Sequence, residues 1–236
     1  MKTKTLIWAW PTRAFHWLLA VGFTSAYILG DFDDYRQFHF AFGSMVGVLV
    51  AMRIIYGLIG PRFSRFSQFP IGLSNQVEFV KSIRIGKTIF HGHNPLASLV
   101  MLGILFIGIL TSLSGYLMYL SESQSYTFVF GGEFLEEVHE VFANLFLGLV
   151  IFHLVGVLVD LILHGKKGAF GSIFSGFKNI ETKPATANIF HQLFGIIWII
   201  AAFVIFYLAF NLQPLLKDNN KTDNQSKYER LKVDDD

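Results

Sequence analysis

Five apolar stretches, residues 14–30, 39–60, 95–120, 138–164 and 188–211, constrain what this chain can fold into more than any other feature. They run from 17 to 27 residues, and a helix needs about 20 apolar residues to cross about 30 Å of hydrocarbon. Of the 19 basic and 17 acidic side chains, only Arg53, Glu140 and Asp160 fall inside these stretches. With 53% of residues hydrophobic and 15% charged, the chain is too apolar for a water-soluble domain of this size. The short alternating runs of a membrane barrel are not the pattern here. The expected architecture is all-α, with five membrane helices. Pro11, Arg13 and His16 interrupt the order of a cleaved signal peptide, so the first segment is expected to stay in place.

The distribution of Lys and Arg orients the bundle. Three precede the first segment, one lies in 31–38, five in 61–94, none in 121–137 and four in 165–187. Twelve therefore sit on the N-terminal side and one opposite, which predicts a cytoplasmic N-terminus. The acidic loops with Asp31, Asp33, Asp34, Glu133, Glu136 and Glu137 then face outward. Five crossings place the C-terminus outside, and the mixed-charge stretch 212–236 reads as a disordered polar tail. A net charge of +2, dispersed between apolar runs, excludes a nucleic-acid binder. The absence of cysteine excludes disulfides, thiolate metal sites, iron–sulfur clusters and covalently attached haem.

Local signals refine the picture. Asn94-Pro95 has the form of a helix start, with Asn as cap and Pro at the first helical position. Residues 70–92 are too charged to span, and read either as a segment lying along the cytoplasmic interface or as an ordinary loop. Gly43 and Gly47 form a G-x-x-x-G spacing whose usual meaning is close helix packing, ahead of room for a flat macrocycle.

Ionisable side chains inside a membrane are costly and mark function. His139 and His153 are 14 residues apart on the fourth segment, so they lie about 40° apart on one face and roughly 21 Å apart along it. His16 begins the first segment on the cytoplasmic side, and His39 begins the second on the outer side. Antiparallel crossing therefore matches His39 with His139 and His16 with His153. Facing histidines can bind a haem iron, or contribute to a zinc or di-iron site. Zinc wants further ligands close by, and di-iron sites want Glu-x-x-His on two helices, neither of which the sequence offers. Haem b needs two imidazoles, apolar walls and charge for its propionates.

Several stretches resemble the prokaryotic di-haem membrane cytochromes b, which include bacterial cytochrome b561 and the b-type subunits of nickel–iron hydrogenases and formate dehydrogenases. They are Trp10-Pro11-Thr12-Arg13-Ala14-Phe15-His16-Trp17, His39 with Gly47 and Arg53-Ile54-Ile55-Tyr56-Gly57, Gly92-His93-Asn94-Pro95-Leu96, and Val138-His139-Glu140 with Phe152-His153. The resemblance covers roughly residues 10–178. It implies a four-helix haem-binding bundle in residues 1–180 that holds two non-covalent haems b on His16, His39, His139 and His153. The fifth helix and the tail resemble those of the longer members.

The expected function is electron transfer in the bacterial inner membrane, between the quinone pool and a redox protein on the outer side, such as a c-type cytochrome or an oxidoreductase subunit. The chain would then be a subunit of a respiratory oxidoreductase rather than an independent enzyme, with lipid and quinone as its other partners. The alternative is a stand-alone oxidoreductase that passes electrons from superoxide or another small outer donor to quinone. Arg53, 14 residues after His39, faces the bundle near the inner pair and is expected to meet a haem propionate, with Asp160 or lipid phosphates as the competing partners. His91 and His93 are expected in structural or interfacial roles, His164 in water, and His191 as an interfacial anchor ahead of a quinone contact. Trp8, Trp10 and Trp17 fit an aromatic belt.

Overall fold

A computed structural model describes residues 4–83, 92–122, 131–165 and 168–233. In chain order the elements are β1 (Lys4–Leu6), α1 (Trp10–Leu29), α2 (Arg36–Ile59), α3 (Leu73–Ile83), α4 (Pro95–Glu122), α5 (Gly131–His164), α6 (Phe170–Ser175), β2 (Phe177–Asn179) and α7 (Ile189–Val233). The fold is an all-α bundle with almost no sheet. Among the described residues four helices are long and apolar enough to cross a membrane, over Asp33–Ile59, Pro95–Ser121, Gly132–Leu163 and Ile189–Leu212. The fifth expected span, α1, falls short on composition because Thr12, Arg13 and His16 crowd its first two turns. It still runs beside α2, and so closely that a Cβ on Gly22 would stand 2.8 Å from Met45 Cε.

Helix ends differ from the expected boundaries in three places. The expected cap is present, with the Ala97 N–H donating to Asn94 Oδ1 at 2.7 Å at the start of α4. However, α5 begins at Gly131, so Glu133, Glu136 and Glu137 stand in its first turns rather than in a loop. Carboxylates are favoured there by the helix dipole. α2 begins at Arg36, which puts His39 almost one turn inside the helix. α7 continues to Val233, through the stretch expected as a disordered tail. After Pro214 no glycine or proline interrupts it, and these are the residues that end helices. Residues 73–83 of the charged 70–92 stretch form α3, with Leu73, Val77 and Val80 exposed at i, i+4 and i+7 along one face.

α2 is the central helix and packs against α1, α4 and α7, while α5 packs along α4. The core therefore gathers around α2, with Leu49, Val50 and Tyr56 fully buried. Of the spanning stretch of α5 only 6% is buried, against 39% for α2. One end of the bundle is closed by a knot of the N-terminal segment with the segment between α5 and α7. β1 pairs antiparallel with β2, Thr5 opposite Lys178. The Ile7 and Trp8 N–H groups both donate to Gly176 O, at 2.8 and 3.0 Å. Gly176 ends α6 at φ 85, and a Cβ there would meet Trp8 O at 2.8 Å, so glycine is required on both counts. Trp8 is accordingly packed inside this knot, its Nε1–H on Ser172 Oγ at 2.9 Å, and not in an aromatic belt. Trp17, 41% exposed, retains that option.

The G-x-x-x-G pair divides into two roles. A Cβ on Gly47 would lie 3.0 Å from Ser112 Cβ, so this glycine sets the α2–α4 approach, whereas Gly43 has nothing within 4 Å. Gly47→Leu is expected to force the two helices apart and to destabilise the protein by about 1–3 kcal/mol, the usual cost of overpacking. A thermal melt in detergent reads this directly, and a midpoint equal to that of the unaltered protein would refute the close-packing role.

Candidate haem-binding site

The fold brings the four matched histidines together in two pairs. His16 of α1 faces His153 of α5 with ring centroids 6.3 Å apart. His39 of α2 faces His139 of α5 at 6.0 Å, the rings nearly perpendicular at 86°. Two imidazole–metal bonds of roughly 2 Å each, plus the half-widths of two rings, account for such separations. Among the described residues no three His, Cys, Asp or Glu side chains converge on one metal position. The histidines are thus arranged in twos, which would suit a haem iron held between two imidazoles better than a zinc or di-iron site.

Hydrogen bonds aim the His39–His139 pair. His39 Nδ1 lies 2.7 Å from Ala26 O, and His139 Nδ1 lies 3.0 Å from both Thr111 O and Ser114 Oγ. A carbonyl only accepts, so Nδ1 carries the hydrogen in both rings and Nε2 keeps the lone pair that a metal needs. Ser114 Oγ donates its own hydrogen to Thr111 O at 2.9 Å, which leaves it free to accept from His139. Two glycines make room for the rings. A Cβ on Gly30 would stand 3.1 Å from His39 Nδ1, and one on Gly115 would stand 3.0 Å from His139 Cε1. These five positions escaped the sequence reading. The Thr-x-x-Ser-Gly run of 111–115, polar and small in the middle of an apolar helix, is a signal for three of them, Thr111, Ser114 and Gly115.

α5 meets α1 chiefly through side chains rather than along its backbone. Midway between the histidine pairs, Phe23 stacks on Phe146 with centroids 4.1 Å apart and an interplanar angle of 26°. Phe146 is seven residues from each α5 histidine, and Phe23 seven from His16, so the stack separates the pairs by about 10 Å of helix on either side. Near it, the Tyr27 hydroxyl donates to Asn144 Oδ1 at 2.8 Å. The residues present fit haem b. Facing imidazoles, an aromatic stack between the pairs, open space at Gly43 one turn from His39, and buried polar atoms without partners at His16 Nδ1 and Arg53 Nη1 are what such a group would need.

Arg53 is 1% exposed, so it does not snorkel to lipid phosphates. Its Nη2 donates to Ser64 O at 3.0 Å, and its guanidinium lies 5.2 Å from the Phe66 ring and 5.9 Å from the Phe15 ring. Phe63, in the left-handed region at φ 68, turns the chain just before that carbonyl. Asp160, the other competing partner, is engaged elsewhere: its Oδ2 accepts the Ala169 N–H at 2.6 Å and its charge supports Lys178. Lys178 is buried in β2, and desolvation pulls its ammonium pKa down while Asp160 opposes the shift.

The remaining histidines are structural where described. The His93 ring sits 4.7 Å from Trp8 and 4.8 Å from Phe69. Burial, reinforced by the charges of Arg53, Lys178 and His153, lowers its pKa to about 3, so it is neutral at physiological pH. His191 Nε2 donates to Ile59 O at 2.9 Å and its Nδ1 accepts the Asn188 N–H at 3.3 Å. Both nitrogens are used in pinning the start of α7 to the end of α2. His91 and the side chain of His164 lie outside the described residues.

Two facing imidazole pairs at two levels of an apolar helical bundle form a candidate haem site of a membrane cytochrome. Residues 7–176 match the prokaryotic cytochrome b561 family, and the chain belongs to it. It is a bacterial membrane protein that binds haem b and transfers electrons. No curated protein matches the chain, and no solved structure does.

Proposed function

We propose that the chain binds two haems b, one between His16 and His153 and one between His39 and His139, and conducts electrons across the membrane between quinone and a redox protein. The observation that carries this reading is the pair of facing imidazole couples, with the outer rings held by Nδ1 hydrogen bonds that leave Nε2 for iron. Haem b held by His16 with His153 and by His39 with His139 would supply a one-electron carrier with no position left for oxygen. The protein holds the four rings, excludes water and separates the pairs with Phe23 and Phe146. Arg53 offers Nη1 to a propionate of the haem on His16 and His153.

The positive-inside distribution supports a cytoplasmic N-terminus, with the C-terminus in the periplasm after five crossings. The His39–His139 end then faces the periplasm, and its rim carries exposed Asp31, Asp33, Asp34, Glu133, Glu136 and Glu137. Such a rim favours docking of a basic protein such as a c-type cytochrome, or of a partner oxidoreductase subunit. Quinone would exchange electrons with one of the haems. The purified protein is expected to yield two haems b per chain in a pyridine haemochrome assay, both released by acid–acetone. One haem or none per polypeptide would refute the di-haem reading.

A further inference from the structure

An open depression of about 550 Å³ lies beside the end of α2 and is lined by Arg62, Arg65, Gln68, Thr182 and Lys183. Three of the five lining residues are cations and none is an acid. Glu181, next in the chain to Thr182, is not part of the lining. The cations arrive from two distant parts of the chain, three and six residues after the last residue of α2 and six before the first of α7. Those two helix ends are fastened together by the His191–Ile59 hydrogen bond, so the depression lies just beyond two membrane spans. The last and first turns of these spans leave Leu58 (69%), Ile189 (70%) and Phe190 (54%) exposed, an apolar surface that only hydrocarbon would solvate. Cations gathered in one depression repel one another unless an anion joins them. Gln68 and Thr182 add uncharged donors for the oxygens of such an anion.

We infer that this depression binds the headgroup of an anionic phospholipid, whose phosphate is held by Arg62, Arg65 and Lys183 while its chains lie over the apolar flank of α2 and α7. Arginine suits the task because its planar fork meets phosphate oxygens in pairs. A basic pocket at the cytoplasmic end of membrane helices is a recurrent headgroup site. The assignment is independent of the haem reading, because none of these residues touches the histidine pairs.

The test is native mass spectrometry of the haem-loaded protein from nanodiscs of phosphatidylglycerol or phosphatidylcholine. Retention of phosphatidylglycerol over phosphatidylcholine is expected. Arg62→Gln, Arg65→Gln and Lys183→Gln should each weaken retention roughly fivefold, and together roughly a hundredfold, with the haem spectrum unchanged as the check on folding. The single variants preserve the test if the triple variant does not fold. Millimolar inorganic phosphate should fail to displace the lipid. Equal retention of both lipids, undiminished retention of phosphatidylglycerol by the variants, or complete displacement by inorganic phosphate would each overturn the assignment.

Discussion

His139→Ala is expected to halve the haem content, removing the same spectral component that His39→Ala removes and leaving the component lost in His16→Ala and His153→Ala. The pairing follows from which rings face each other, at 6.0 Å for His39 and His139 and 6.3 Å for His16 and His153. Loss of one axial imidazole opens a coordination position, and no other His, Cys, Asp or Glu cluster among the described residues stands ready to fill it. Removal of the His139 ring also takes away the Nδ1–H that Thr111 O and Ser114 Oγ accept, while Ser114 keeps its own hydrogen bond to Thr111 O. Reduced-minus-oxidised spectra and haemochrome stoichiometry of the four single variants decide the matter. If His16→Ala and His139→Ala delete the same component, the pairing is wrong.

The depth of the His16–His153 pair is consistent with this assignment. His153 lies 11 residues before the end of α5, whereas His16 lies six residues after the start of α1. In a bundle of equal helices the two rings would miss each other. At 34 residues, however, α5 is about 51 Å long, well beyond the hydrocarbon thickness. Its last turns run on into the β1–β2 knot, where Asp160 accepts the Ala169 N–H at 2.6 Å. The excess length brings His153 level with His16.

What could be read from residues alone follows from how each is constrained. Apolar runs and the 14-residue spacing of His139 and His153 are one-dimensional signals, and helix geometry converts them to faces and depths without tertiary information. Gly30, Gly115, Ala26 and Thr111 were not legible in the same way. Their roles rest on a backbone carbonyl or a missing Cβ, features that any residue or any helix-packing glycine shares. Helix starts misled for a local reason. Residues 131–137 are acidic enough to look like a loop, yet acids are what a helix N-terminus favours. The β1–β2 knot was invisible because it joins residues 4–6 to 177–179, and three-residue strands leave no periodicity to detect. Arg53 divided cleanly: its burial was implied by its place in an apolar helix, but the Ser64 carbonyl that holds it comes from the turn after α2.

Arg53→Gln should lower the midpoint potential of the haem on His16 and His153, and leave that of the haem on His39 and His139 unchanged. A buried cation without an anionic neighbour costs several kcal/mol. In this structure the guanidinium has one hydrogen bond, to Ser64 O, and an unpaired Nη1. A haem propionate would supply the missing acceptor and charge. The sign follows from electrostatics. A positive charge disfavours the ferric state, which carries one more positive charge than the ferrous, so its removal favours oxidation and the potential falls. At a separation of roughly 10 Å and an effective dielectric of roughly 20, a unit charge contributes roughly 1.7 kcal/mol, or on the order of 70 mV for a one-electron couple, before its counter-charge is taken into account. Arg53→Lys separates charge from geometry. It keeps the cation but loses the fork that holds Ser64 O and a second acceptor together, so it should restore most of the potential while weakening haem retention. Potentiometric titration of both variants provides the measurement. Unaltered potentials with full haem content in Arg53→Gln would mean that Arg53 only fastens the turn at Ser64 to α2, and that the propionate is held elsewhere.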